Sequence, residues 1–173
     1  EGRQRVIDHV EEKYGKNQVA QIITYGTLAA KMSIKDVARV MDLPLVESNA
    51  LAKLVPDKPG IELKRVLHAP MKAKDGEKSL EEKDGLGNDE LELVKKIREI
   101  YKQADTPAGK VLHEADRLEG SVRNTGIHAA GIIIAPKDLT ELIPVATSKD
   151  SHLWLTQIEG SVIEEAGVIK MDF

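Results

Sequence analysis

Apolar residues recur at helical spacing over the first two thirds of the chain and at strand spacing over the last third. Val6, Ile7, Val10 and Tyr14 share one face of a helix running Arg3 to Tyr14, and Gly15 is the residue type that ends one. Val19 to Thr24 is short and β-prone, and periodicity does not decide between an extended segment and the lead into the next helix. From Thr27, TLAAKMSIKDVARVM predicts a helix capped by Thr27 and ended by Leu43-Pro44, with Ala30, Ile34, Val37 and Met41 as its buried stripe. Val46 to Val55 reads as a further short helix, and Leu63 to His68 as one more turn. Leu93, Val94, Ile97, Ile100 and Tyr101 place a helix over Asp89 to Gln103. Thr106-Pro107 is a cap and first-turn pair, from which Val111, Leu112, Ala115 and Leu118 carry a second helix to Gly120, antiparallel to the one before.

Gly131 to Ala135, Leu142 to Val145, Leu153 to Ile158 and Val168 to Phe173 are strand-like, separated by Pro, Ser, Lys, Asp and Gly. The expected fold is α+β, mainly helical, with short strands in the C-terminal third. Residues 71–89 hold hardly any apolar side chain and are expected to form a mobile surface insertion without chemistry of its own.

Composition narrows the function. A chain of 173 residues holds one ordinary domain or two small lobes. An aromatic share of 3% leaves aliphatic side chains to build the core and argues against base-stacking platforms, so Trp154, in a strand pattern, is expected to pack. The chain has no cysteine, which excludes disulfides and thiolate metal sites, and no apolar run of membrane-spanning length, so a cytoplasmic protein is expected. It opens on EGRQRV and stops at IKMDF inside a strand pattern, as an excised piece would. A net charge of −4 argues against a chain coated for nucleic acid and leaves the matter to local patches.

The richest stretch is RLEGSVRNTGIHAAGIIIAP, Arg117 to Pro136, read as a helix end, a loop and a strand. In the loop Arg123 offers a planar fork of donors to a phosphate, Asn124 and Gly126 permit positive φ, and His128 supplies a hydrogen bond or an acid. Equally, Gly120 and Gly126 only shape a helix exit and a turn, with Arg123 solvated. Lys31, Lys35 and Arg39 fall at i, i+4 and i+8, which makes either a phosphate track or a solvated face in which Lys35 and Arg39 pair with Asp36 or Asp42. In GVIKMDF, strand alternation projects Lys170 and Asp172 together, as a functional pair or an ordinary exposed one. Metal-assisted hydrolysis by this chain alone is disfavoured: the five histidines are scattered, and Asp172 has no acidic neighbour in sequence.

QIITYGTLAAK, IKDVARVM, RLEGSVRNTGIHAAGIIIAP, LTQI and GVIKMDF together resemble, in order and spacing, the alpha (catalytic) subunits of bacterial DNA polymerase III, the C-family replicative polymerases. The resemblance spans nearly the whole chain. It implies a fingers domain over 1–166 and the start of a palm strand over 167–173. Asp172 matches the third metal-binding aspartate, with Lys170 beside it, and the other two carboxylates precede the chain. Arg123, Gly126, His128 and Gly131 match a pattern that faces the incoming triphosphate; Tyr25, Gly26 and Lys31 match the fingers motif before it. Arg117 is counted with the nucleotide-binding residues, and Lys35 and Arg39 with DNA phosphates. The resemblance further implies Mg²⁺ at a two-metal site, primer-template DNA and deoxynucleoside triphosphate (dNTP) as substrates, and a fragment inactive alone. As partners in the full subunit it implies the sliding clamp, the proofreading exonuclease subunit and a clamp-loader component. Ala130 stands where glycine is frequent and Met171 where an aromatic is frequent. The rival reading is a non-catalytic phosphate or nucleic-acid binding module.

Overall fold

The apolar run at Val19–Ile23 is a buried strand, β1 (Val19–Thr27), in the computed structural model of the chain, which describes residues 2–72 and 78–173. β1 lies at the centre of a five-stranded sheet ordered β3-β4-β1-β2-β5, where β2 is Val122–Ile134, β3 Val145–Ser148, β4 Ser151–Glu159 and β5 Lys170–Asp172. β1 runs parallel to β4, while β4 with β3 and β2 with β5 are antiparallel. The chain divides into two compact units, Glu1–Gly26 with Val122–Phe173, which holds the sheet, and Thr27–Ser121, which holds helices.

Successive residues of the sheet bury on opposite faces, as the two-residue period requires. Ala20, Ile22 and Ile133 cluster with Leu139, Ile143, Ile163 and Val168. Val19, Ile132 and Leu153 cluster with Ile7 and Val10 of helix α1 (Arg3–Tyr14), which ends at Gly15 with φ 100°. Trp154 packs, half-buried, against the first of these clusters.

Two expectations fail in this unit. Residues 122–130, expected as a loop, form the first half of β2, and neither Asn124 nor Gly126 takes a positive φ. The glycines serve close approach instead: a Cβ on Gly26 would stand 2.0 Å from Asn124 Oδ1, and one on Gly126 would stand 2.9 Å from Thr24 Oγ1. Residues 142–144 are not strand. A 3₁₀ turn at Leu139–Glu141 precedes them, started by Asp138, whose Oδ1 accepts from the Thr140 amide at 2.9 Å, and β3 begins at Val145.

The second unit contains α2 (Ala30–Val40), α3 (Leu45–Lys53), α4 (Leu63–His68), α5 (Leu80–Lys83), α6 (Asn88–Lys102) and α7 (Pro107–Leu118). Their stripes meet in one core that includes Ile34, Val37, Leu63, Val66, Val94, Ile97, Val111 and Leu112. Thr106 caps α7 as expected, accepting from the Gly109 amide at 3.0 Å. Thr27 does not cap α2. The Leu28 amide donates to Ser121 O and its carbonyl accepts from Gly120 N, both at 2.9 Å, which keeps the chain extended past Thr27 and delays the helix to Ala30. Met41 falls outside the buried stripe because α2 ends at Val40 and Asp42 turns away with φ 55°. Of the stretch expected to be mobile, 73–77 lie outside the described residues. The remainder is tied to the core through buried Leu80 and Leu86 and an Arg65–Asp84 ion pair at 2.8 Å.

Helix α4 is only six residues long, and remote side chains hold both its ends. The Glu119 carboxylate accepts from the amides of Leu63 at 2.5 Å and Lys64 at 2.9 Å, while Arg98 donates to the carbonyls of Val66 at 2.7 Å and Ala69 at 2.6 Å. An acid at the N-terminus and a cation at the C-terminus also match the helix dipole. Removing the acid leaves two first-turn donors unmatched, so Glu119→Ala should lower unfolding free energy by about 1–2 kcal/mol in urea denaturation.

Candidate functional site

The antiparallel register sets Gly131 opposite Asp172, Ile132 opposite Met171 and Ile133 opposite Lys170. Lys170 and Asp172, two apart, therefore project on the face of Gly131 and Ile133, as the sequence predicts, while Met171 goes to the other face with Ile132. Lys170 Nζ stands 3.3 Å from Asp172 Oδ2; the lysine side chain is 30% exposed and the aspartate 56%, so the stem is covered and the carboxylate open. The cover is given by missing side chains. A Cβ on Gly131 would lie 3.2 Å from Lys170 Cδ, and one on Gly160 would lie 3.6 Å from it, with Ile22 behind both. Two glycines thus form the floor on which the lysine stem rests.

His128 is fixed by the same backbone. Its Nδ1 accepts from the amides of Gly131 at 2.7 Å and Ala130 at 3.2 Å. An accepting Nδ1 places the ring proton of the neutral imidazole on Nε2, so His128 has one N–H left to donate. Arg123 and Gly126 stand on the exposed half of β2 that leads into His128. The Tyr25 hydroxyl donates to Gln157 O at 2.7 Å.

A methyl at Gly131 would reach 2.8 Å from Ile22 Cδ1 and 3.0 Å from His128 Nδ1. Gly131→Ala should cost about 1–3 kcal/mol of stability and displace Lys170 and His128 together. Thermal denaturation measures the first effect, and the His128 ring resonances in NMR report the second.

The remaining candidate cations, Lys31, Lys35, Arg39 and Arg117, lie on the helical unit, and three of these four are paired. Lys31 meets Asp57 at 2.9 Å, Arg39 meets Asp36 at 3.1 Å and Arg117 meets Glu114 at 3.0 Å. The row at 31, 35 and 39 is therefore not three open charges, although exposed pairs worth at most about 1 kcal/mol can yield to a phosphate. Lys35 and Arg39 border a cleft of about 520 Å³ that Asp36 and Asp42 also line. Among the described residues no group of three or more His, Asp or Glu could hold a metal ion. At the sheet end Asp172 offers one carboxylate, which suits one ligand of a metal site and not a whole one.

Sequence reasoning missed Gly160, whose only signal is a glycine after a strand pattern. It also missed the clamp on α4 and the network around Asp116. There the carboxylate accepts from Tyr101 OH at 3.1 Å and meets His68 Nε2 at 2.7 Å, and the Tyr101 ring stacks on His113 at 3.9 Å. Burial, with Asp116 beside it, pushes the Tyr101 phenol above its ordinary value.

A family model described as bacterial DNA polymerase III alpha NTPase domain matches residues 1–173, the whole chain. The chain belongs to that family. DNA polymerase III subunit alpha of Chlamydia trachomatis serovar D is 41% identical over 172 residues, 99% of this chain and 12% of that protein. The subunit of Aquifex aeolicus is 41% identical over 179 residues, 100% of this chain and 15% of its own length. That of Pseudomonas aeruginosa is 35% identical over 173 residues, again 100% of this chain and 13% of its own. The chain thus spans between 12% and 15% of the length of these DNA polymerase III alpha relatives.

Proposed function

We propose that this chain is the fingers region (1–166) and first palm strand (167–173) of a replicative DNA-directed DNA polymerase. The full subunit would add a deoxynucleotide to a primer 3′ end on template DNA and release pyrophosphate. The observation that carries the reading is the open Asp172 carboxylate paired in register with Gly131, with Lys170 laid over two glycines. A carboxylate held open at a rigid strand is a suitable metal ligand, and the stem of Lys170, laid over the glycines, brings its ammonium beside that carboxylate.

In this reading Asp172 is one of three carboxylates, the other two outside the chain, and bound Mg²⁺ would neutralise charge on the attacking and leaving oxygens. Lys170 orients Asp172 through the ion pair. His128 donates Nε2–H, and Arg123 its guanidinium fork, to the triphosphate of the dNTP, across a β2 backbone kept narrow by Gly126. From the helical unit Lys31 and Arg117 serve the nucleotide, and Lys35 and Arg39 the DNA phosphates. Their ion pairs are weak enough to exchange for these ligands. The sliding clamp, exonuclease subunit and clamp-loader component remain partners of the full subunit. No helix of the described residues is long and apolar enough to cross a membrane, and the setting proposed is the bacterial cytoplasm.

Primer extension tests the reading. The full subunit should extend a primer, and the purified 173-residue chain should not, since it brings one carboxylate where a two-metal site needs several. Extension by the isolated chain would refute the assignment of the missing ligands. An active full subunit that ignores Asp172→Asn would leave this segment a binding module.

A further inference from the structure

Away from these residues, a cleft of about 510 Å³ opens beside α4 and is lined by Glu62, Lys64, Arg65, His68, Lys78 and Lys83 together with Ala69. Arg65 is spoken for: its guanidinium donates to both Asp84 oxygens and to Lys78 O. Lys64, Lys78 and Lys83 are exposed, and none has an ion-pair partner among the described residues. Lys31, Arg39, Lys58, Lys95, Lys102 and Arg117 of the helical unit differ in this, each being held in an ion pair. Among the described residues that line the cleft, Lys64, Lys78 and Lys83 stand against one acid, Glu62, which gives this lining a positive balance inside a chain whose net charge is −4.

The α4 wall of the cleft is also held at several points. α4 supplies Lys64, Arg65 and His68, and it is held at one end by Glu119, at the other by Arg98, along its side by Asp84 and at His68 by Asp116. Its first-turn amides are already used by Glu119, so the charge available to a ligand is that of the lysines.

We propose that this cleft binds the phosphodiester backbone of nucleic acid through Lys64, Lys78 and Lys83. The choice of nucleic acid over another polyanion rests on the polymerase reading; the charge of the cleft and the hold on α4 do not. Flexible ammonium groups without base-reading partners hold phosphates irrespective of sequence, and each neutralised phosphate adds to the salt dependence of binding.

The test is binding of labelled primer-template to the full subunit over a salt series, for wild type, the Lys64→Gln/Lys78→Gln/Lys83→Gln triple variant, the matching triple Lys→Arg variant and Glu62→Gln. Each glutamine should flatten the slope of log Kd against log salt by roughly 0.7–0.9, and together they should weaken binding on the order of a hundredfold near 0.1 M salt. The arginine variant should keep the wild-type slope, and Glu62→Gln should bind a few-fold tighter. Templates with long and short 5′ overhangs separate the sources: a loss confined to long overhangs assigns the cleft to single-stranded template, and an equal loss assigns it to duplex. Unchanged slopes on both templates would overturn the proposal. So would lysine-dependent binding of polyglutamate with DNA binding intact, which would make the cleft a site for an acidic protein. Nucleotide incorporation at saturating DNA, measured on the same wild-type protein, separates this outcome from failure of the polymerase reading.

Discussion

Asp172→Asn in the full subunit should lower single-nucleotide incorporation by about a thousandfold or more, some 4 kcal/mol of transition-state stabilisation, with primer-template affinity within a few-fold of wild type. The substitution keeps size and removes charge. Asp172 sits in a three-residue strand whose hydrogen bonds to β2 come from the backbone, so the register with Gly131 should survive. Its side chain is more than half exposed and pairs with the ammonium of Lys170, so little stability is at stake. A defect of this size without unfolding belongs to a charge that acts on the reacting groups. Rapid-quench incorporation with equilibrium DNA binding makes the comparison, and a variant with near wild-type turnover would remove Asp172 from the catalytic set.

Arg123→Ala should lower kcat/KM for the incoming nucleotide by about a hundredfold, equivalent to roughly 2–4 kcal/mol, and leave primer-template dissociation nearly unchanged. A triphosphate contact is local, whereas affinity for DNA is spread over many phosphates. The placement of Arg123 on a strand strengthens this expectation, because β2 is laced to β1 at Gly26 and Gly126 and so aims the guanidinium from a fixed base. Arg123→Lys should recover only part of the loss, since a point charge cannot reproduce a two-donor fork. A loss seen only in DNA binding would make Arg123 a backbone contact.

Where one face of a segment is buried, its period was legible. α1 and α4 occupy the residues that their apolar spacing marks, and α6 and α7 differ by a residue or two at their ends. The shared face of Lys170 and Asp172 followed from the period of two. The first half of β2 was not legible, because Val122 to Gly126 are all exposed and carry no burial pattern; pairing within the sheet makes them a strand. Long-range partners were hidden for the same reason. Asp57, which neutralises Lys31, is 26 residues away in sequence, and Glu119 reaches back over 50 residues to the start of α4. The site's residue types were visible in RLEGSVRNTGIHAAGIIIAP, but the roles of Gly131 and Gly160 as a floor depend on strands that meet only in the fold. The tautomer of His128 likewise depends on two amides that a loop would not have presented.

The claim that the β2–β5 end of the sheet receives the triphosphate is tested most directly by photo-crosslinking. A dNTP carrying a photoreactive group on its γ-phosphate would be bound to the full subunit with primer-template, and the labelled peptide identified by mass spectrometry. The account predicts label within residues 122–131 or at Lys170, competed by unmodified dNTP and reduced by Arg123→Ala. Competed label found only elsewhere in the subunit, with 122–131 and 170–172 untouched, would contradict it.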